Sequence, residues 1–523
     1  MSGDCAPFLT VLLGIVFWIF KRRFGSPQNV INCIPGPTSS SWLYGNMLEL
    51  LLSKEYGEHE FQWQERYGPV YSIKGCFGES RLMISDPLAA KYVLNAPIFV
   101  FGAAHQKSMN CLFGFGNVVL AQAERHRYLR SLMNPIFSAK RVRASRPNLK
   151  ERGNKLVDRL ESLGLPGNTV DISGELHRAI LDVVGDAILG PLPERDVIGD
   201  LSQIQRSVLD CISNITKFSQ LVYAAVPYIP EFVFRLAMNL PLPTMHLIRE
   251  HRRITDELGR ILVQQKRDNE DSTSDDEFSD LFIRRNSTDS DTGVPDEQIP
   301  VHLRTILFAG DDTTGGTLGW VLYRLAQMEN YQHALREEIR LATAKGKGDP
   351  DYDKMPLLNA MINEVLRLYP AFPLAERMAT EDCVLPLSQP IIGIDGSQIL
   401  EIPIKKGQLF FVAIASYNRL ASIWGSDALE FRPSRWLEGD PCKAKGLGLG
   451  PHASLLSFLS GPAVCPGWRL AILMIQVFVT ELVRKFALSL PENDSVRARF
   501  AVTLVAKTAD GAPNLPIHIE TIA

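Results

Sequence analysis

The chain of 523 residues lacks several of the usual signposts of function. It has no basic excess: 55 Lys and Arg stand against 58 Asp and Glu, a formal charge of -3. Nucleic-acid binding, which leaves a cationic footprint, finds no support in that balance. Its eight cysteines, at 5, 33, 76, 111, 211, 383, 442 and 465, contain no C-x-x-C pair. That argues against a zinc module or a thioredoxin-like redox site. Scattered thiols of this kind are mostly buried and inert in a reducing compartment. There is no internal repeat, and so no sign of a solenoid or propeller.

A full-length apolar span is also missing. Residues 6–20, APFLTVLLGIVFWIF, carry no charge and are followed by Lys21, Arg22 and Arg23. The run is shorter than the ~20 residues of a typical transmembrane helix. A cleaved signal peptide would carry its positive charge ahead of the apolar run, whereas here it follows. Flanking Lys and Arg can snorkel and the bilayer can thin around a short span. Residues 1–24 are read as an N-terminal membrane anchor, with a cleaved signal or a buried helix as alternatives. The positive-inside rule then leaves residues 25–523, one catalytic domain, in the cytosol. The sequons at Asn214, Asn286 and Asn493 would stay unmodified there.

What is present is mostly helical. IPGPTSSSWLYG, with Pro35, Gly36 and Pro37, reads as a stiff hinge. YGPVYSIKG and SRLMISDP look like two short strands. From about Pro87 onward apolar residues recur at helical spacing, as in PNLKERGNKLVDRLESL and YQHALREEIRLAT. Strand-like patches return at VLPLSQPIIG and LPIHIETI. Residues 268–300 are acidic and rich in Ser and Thr, which predicts a solvated connection between long helices. Residues 222–243 are apolar with four prolines, so they cannot form one helix. They are expected to be a core-packed connection. The alternative is a surface dipping into the bilayer beside the anchor, an apolar way in for a lipophilic substrate.

Three constellations carry chemistry. In FLSGPAVCPGWRLA, Cys465 stands between Gly461 and Gly467, ahead of an apolar helical run. A thiolate at a helix start is favoured by free N–H groups and the helix dipole. The two glycines allow a sharp bend and close approach to a flat ligand. Phe458 can cover the sulfur. These needs fit haem iron bound by cysteinate, and they also fit a buried cysteine in a turn. In ILFAGDDTTGGTLGW, two acids and two threonines interrupt an apolar helix, a costly insertion unless bonded. Threonine can bond a carbonyl one turn back and open a pocket. Asp312 and Thr313 form a proton-relay candidate; a polar face, or a cap starting a new helix after Asp311, is the alternative. In NEVLRLYP, Glu364 and Arg367 share one helix face. They form either a surface pair worth at most about 1 kcal/mol or a buried pair needing a third partner, for which FRPSRW offers Arg435.

Taken together, AGDDTT, then ExxR, then FRPSRW, then FLSGPAVCPG resemble the cytochrome P450 haem-thiolate monooxygenases, along the whole chain. The resemblance implies a mainly α fold with small β sheets, the family's triangular helical prism, behind the anchor. It implies haem b (iron protoporphyrin IX), with Cys465 as the axial ligand and Glu364, Arg367 and Arg435 as a structural triad. AERHRYLRSLMNPIFS resembles the family's helix with a Trp-x-x-x-Arg pair. His126 stands at the Trp position, and Arg130 is expected to reach a haem propionate. Arg377, in PLAERMAT, matches a second propionate-binding arginine. The family usually has an arginine two residues before the cysteine; here it is Ala463, which shifts the load to Arg130 and Arg377, with His126 as an extra donor. The texture is that of fungal microsomal members that decorate secondary metabolites.

The implied function is insertion of one oxygen atom from dioxygen into a lipophilic molecule, a terpenoid or other secondary metabolite. The alternatives are a haem-thiolate isomerase or dehydratase, against which Asp312 and Thr313 argue, and a non-catalytic haem carrier or sensor. The chain leaves no room for a flavin domain, so electrons are expected from NADPH through a separate cytochrome P450 reductase in the endoplasmic reticulum membrane. Lys140, Arg141 and Arg143, with Arg127 and Arg469, are either its basic docking face or a solvated charge run.

Overall fold

The computed structural model describes residues 30–163, 169–189, 197–268, 294–345, 349–440, 443, 446 and 448–522. The expected anchor, residues 1–24, lies outside them. No helix among the described residues is long and apolar enough to cross a membrane. Most of the acidic connection also lies outside.

The fold is mainly helical with small sheets, as the sequence implied. Seven helices position the site: α1 (Ala103–Phe113), α2 (Ala123–Met133), α3 (Ser173–Leu189), α4 (Val197–Ser213), α5 (Ile299–Ala326), α6 (Pro356–Leu368) and α7 (Trp468–Lys485). The 28-residue α5 is apolar on nearly every side, and it is buried on nearly every side, among α3, α7 and the helix Pro243–Asp268. It runs unbroken through Asp311, so no new helix starts there.

The two early strands form as expected. Val70–Lys74 pairs antiparallel with Ser80–Ile84. Behind them lie Leu409–Ala413, Leu374–Ala379 and Phe99–Val100, completing a five-stranded sheet. This sheet fixes Arg377 opposite Phe410. Cys383–Ile392 and Gln398–Ile404 make a separate hairpin, and Pro516–Thr521 joins a three-stranded sheet.

The prolines of residues 222–243 do break the helix. Lys217–Ala225, a short 3-10 turn and Glu231–Ala237 follow one another before Pro243–Asp268 begins. The expectation of a core-packed connection fails. Neither of the two short helices has a buried residue, and Phe218, Phe232 and Leu236 are 75%, 67% and 64% exposed. Apolar composition with proline says that a segment is not one helix, but not which way its side chains face.

Candidate functional site

The loop around Cys465 is built by backbone geometry. The Cys465 N–H donates to the Phe458 carbonyl at 3.0 Å, closing the loop on itself. Leu459 and Gly461 both have φ near +60°. At Gly461 a side chain would strain the backbone and put a Cβ 2.6 Å from the Leu94 carbonyl oxygen. Gly467 is different: an added Cβ would meet only the Phe137 ring, at 3.7 Å, an ordinary contact. Helix α7 begins directly after it, and the N–H groups of Gly467 and Trp468 donate toward the half-buried sulfur. Burial pushes the Cys465 thiol up; those N–H groups and the nearby Arg130 pull it part of the way back.

Helix α5 presents two faces at the acid–threonine stretch. Ala309 is exposed in mid-helix and Gly310 and Thr313 are half-exposed, within a helix otherwise buried. Ala309 leaves open space beside the helix, whereas Gly310 admits Val184 of α3, which a Cβ there would meet at 3.0 Å. The Thr313 hydroxyl donates to the Ala309 carbonyl at 2.9 Å, the back-bond expected. Asp312 does not meet Thr313. Its carboxylate accepts from the Thr503 hydroxyl at 2.7 Å. Burial pushes its pKa up. Asp311 accepts from Gln205 Nε2 at 2.7 Å and is bonded to His177 Nδ1 at 2.9 Å. Successive helix residues turn by about 100°, so neighbours in sequence need not share a face.

Glu364 and Arg367 are fully buried, which rules out the surface pair. Arg367 grips both carboxylate oxygens, at 2.9 and 2.8 Å. Arg435 is the third partner, its Nε 3.1 Å from Glu364. Two more donors come from Trp436 Nε1 at 2.9 Å and the Arg432 N–H at 2.7 Å. The network fastens α6 to the segment leading toward the cysteine loop.

Arg377 is buried, yet among the described residues no carboxylate lies in salt-bridge reach of it. It donates to the Glu376 carbonyl at 2.8 Å, and its guanidinium lies 4.4 Å from the Phe101 ring centroid. Burial lowers its pKa to about 10. Arg130, on α2, is half-buried, and its guanidinium makes no hydrogen bond among the described residues. Burial lowers its pKa, while the Cys465 sulfur nearby raises it. His126 stands one turn before it, and burial and then Arg130 hold its pKa down. Ala463 is exposed.

Several site residues were invisible in the sequence. His177 and Gln205 sit in ordinary amphipathic helices more than a hundred residues from Asp311. Thr503 lies in no motif that signals a bond to an acid, and FRPSRW points to Arg435 without marking the Trp436 indole as a further donor. His105 stacks on Phe101 with centroids 4.5 Å apart, and burial and then Arg377 lower its pKa to about 4. No local pattern marks that contact.

A solitary thiol at a helix start, a helix with an open small-residue face and two arginines without carboxylate partners together describe a haem-thiolate protein. Residues 34–510 match the profile of the cytochrome P450 family, and the chain belongs to it. It is a monooxygenase of that family, which carries a haem-thiolate cofactor. Fungal monooxygenases are among the relatives it matches. Cytochrome P450 monooxygenase 219 of Postia placenta is 29% identical, over 93% of this chain and 94% of its own length. Cytochrome P450 monooxygenase 91 of the same fungus is 29% identical, over 98% of each. Ganoderic acid synthetase of Ganoderma lucidum is 26% identical, over 97% of each.

Proposed function

We propose that Cys465 ligates the iron of haem b and that the enzyme oxidises a lipophilic secondary metabolite of terpenoid type. The residues present fit that group. The carrying observation is that Cys465, with two backbone N–H groups aimed at its sulfur, lies near Arg130, whose guanidinium has no hydrogen-bond partner among the described residues. Gly467 leaves room for a flat ligand close to the backbone, and Arg130 and Arg377 are free to hold its two carboxylates. His126 adds a donor beside Arg130. Phe458 fixes the loop through its carbonyl. When bound, the haem supplies activation of dioxygen, and the thiolate donates electron density that favours O–O cleavage.

The chain's own residues do the rest. Insertion into a C–H bond turns substrate, dioxygen, two electrons and two protons into the alcohol and one water. Thr313 holds a hydroxyl at the open face of α5, where one of those protons is needed. Ala309 keeps that face clear for an apolar substrate. Glu364, Arg367 and Arg435 hold the loop in place.

Partners follow from the surface. Lys140, Arg143, Arg127 and Arg469 are exposed, and the turn carrying the first two packs beside α7, on the cysteine side. A negatively charged reductase surface, passing electrons from NADPH, suits that face. The exposed apolar residues of Lys217–Ala237 suit a bilayer, which supports a reading of the enzyme as held on the endoplasmic reticulum by residues 1–24 with its catalytic domain in the cytosol. The name of the Ganoderma relative, a ganoderic acid synthetase, supports action on a secondary metabolite. The test is product analysis after co-expression with a cytochrome P450 reductase and a panel of terpene scaffolds. NADPH-dependent oxygenated product is expected; rearranged product without oxygen uptake would replace this reading by an isomerase.

A further inference from the structure

A cavity of about 400 Å³ lies against the other side of α5. Asp311, Asp312 and Gly315 of α5 line it, with His177 of α3 across from them; its lining includes neither Cys465 nor Thr313. Asp311 stands about 200° around the helix from both Ala309 and Thr313. Two carboxylates in the middle of an apolar helix are costly unless bonded. Both are bonded on this cavity side: Asp311 to His177 and Gln205, Asp312 to Thr503. Gly315 makes the first of these contacts possible, because a Cβ there would lie 2.9 Å from His177 Nδ1.

We propose that this cavity supplies the protons of the reaction and that His177 is the positioning residue within it, holding a proton against Asp311 beside Asp312. The proposal rests on the monooxygenase reading. Every oxygen atom inserted needs two protons at the face of α5 that carries Thr313, where Ala309 cannot carry one. The nearest groups that exchange protons are Asp311 and Asp312. Thr313 and Thr317 both turn their hydroxyls back onto carbonyls, at Ala309 and Thr313 respectively. Both hydroxyls share carbonyls with the helix ladder, which stays unbroken here, close to Asp312.

The charge around His177 suits the role. From α5 it faces Asp311 and Asp312; from α4, Arg206 and Asp210; from the hairpin Arg497–Lys507 and the turn after it, Lys507 and Asp510. Burial pushes the imidazole down and Arg206 adds to that, but the Asp311 carboxylate at bonding distance, with Asp312 behind it, outweighs both. The ring therefore keeps its proton to higher pH than an ordinary histidine.

The experiment uses the haem-loaded full chain with reductase and NADPH and no added substrate, so that electrons end in peroxide or water. Peroxide takes two electrons and two protons per dioxygen, water four of each; the peroxide released per NADPH reads proton delivery. His177→Asn keeps a donor for Asp311 but cannot change charge. Gly315→Ala displaces the ring without touching a titratable group. Both are expected to keep the parent's haem-to-protein ratio and reduced-CO absorption, to raise peroxide per NADPH about twofold or more, and to flatten its pH dependence. Ring nitrogen-15 NMR of the parent, which needs no turnover, is expected to show His177 titrating above the ordinary ~6.5, and lower in Asp311→Asn. Parent-like peroxide yields in both variants, a parent that makes no water at any pH, or a His177 ring titrating below ~6.5 would each overturn the proposal. Failure of the monooxygenase reading looks different: no NADPH- and reductase-dependent oxygen uptake at all.

Discussion

Glu364→Gln isolates the most densely bonded charge in the molecule. The carboxylate accepts five hydrogen bonds, from Arg367 (two), Arg435, Trp436 and the Arg432 N–H. Glutamine keeps one acceptor oxygen and turns an NH2 group toward guanidinium donors. Hydrogen bonds to a charged group are worth about 1.5–3 kcal/mol each, and adding several gives a figure comparable to the whole stability of a domain. That sum is too large, because the arginines keep other partners. Arg367 still donates to the carbonyls of Asn418, Ala428 and Glu430, and Arg435 still faces Asp427. Removing one partner of a buried pair costs about 3–5 kcal/mol, and the surviving bonds put this case at the lower end, about 3 kcal/mol.

The assay is denaturant unfolding followed by tryptophan fluorescence, with haem retention after gel filtration beside it. The pH dependence adds a check. Burial pushes the Glu364 carboxyl up, but its bonds to Arg367, the Arg432 N–H and Arg435 outweigh this and hold it below the ordinary carboxylate range. Its stabilisation is therefore present above the unfolded pKa of ~4.3 and is lost as pH falls through the lower folded value. The gap between parent and Glu364→Gln should persist at pH 5 and close only in stronger acid. An unfolding free energy within ~1 kcal/mol of the parent at pH 7 would refute the reasoning and make the network a neutral replacement for apolar packing.

Cys465→Ser is expected to abolish the reduced-CO absorption typical of cysteinate haem, since serine is a poor soft ligand; a retained band removes Cys465 from the role. Arg377→Ala and Arg130→Ala should each lose much of their haem during purification, at a cost of about 3–5 kcal/mol, and Ala463→Arg should restore part of it. A double mutant that holds haem as well as the parent means that the carboxylates bind elsewhere. Acid should destabilise the fold through His251 and His302, both fully buried, whose pKa values are lowered by burial to about 3 and about 4. The native state binds fewer protons than the unfolded chain below ~6.5, so each costs about 2 kcal/mol at pH 5; an unfolding midpoint unchanged between pH 7 and pH 5 counts against this.

Local signals account for what could be read in advance. The cysteine loop was legible because turn residues, thiol and following helix are contiguous, and their backbone geometry is decided within a dozen residues. Glu364 and Arg367 were legible as a pair because three residues on a helix make one face. Whether they were buried was not legible, because burial depends on Asn418 to Trp436, which fold over them. The acid–threonine stretch misled in one respect. Asp312 and Thr313 are adjacent in the chain, and adjacency suggested a pair, but about 100° of helix rotation separates them. Their true partners, Thr503 and Ala309, are a hairpin residue and a residue one turn back. Residues 222–243 misled for another reason: apolar surface is equally compatible with a core and with a bilayer.

The sequence AGDDTTGG then resolves into two interleaved sets of residues with different tasks. Ala309 leaves open space beside the helix, and Thr313 places a hydroxyl at its edge. Asp311, Asp312 and Gly315 belong to the cavity, where the glycine admits the His177 ring to the first acid. An apolar helix buried on all sides would be more stable without the two acids, since each has to be desolvated and then matched by a bond from another element. The chain supplies those matches from three separate places, α3, α4 and the C-terminal hairpin. Stability alone gives no reason for such an arrangement, because replacing both acids and their partners by apolar groups of similar shape would serve the packing as well. A helix that separates an apolar reaction space from a polar, proton-bearing cavity does give one.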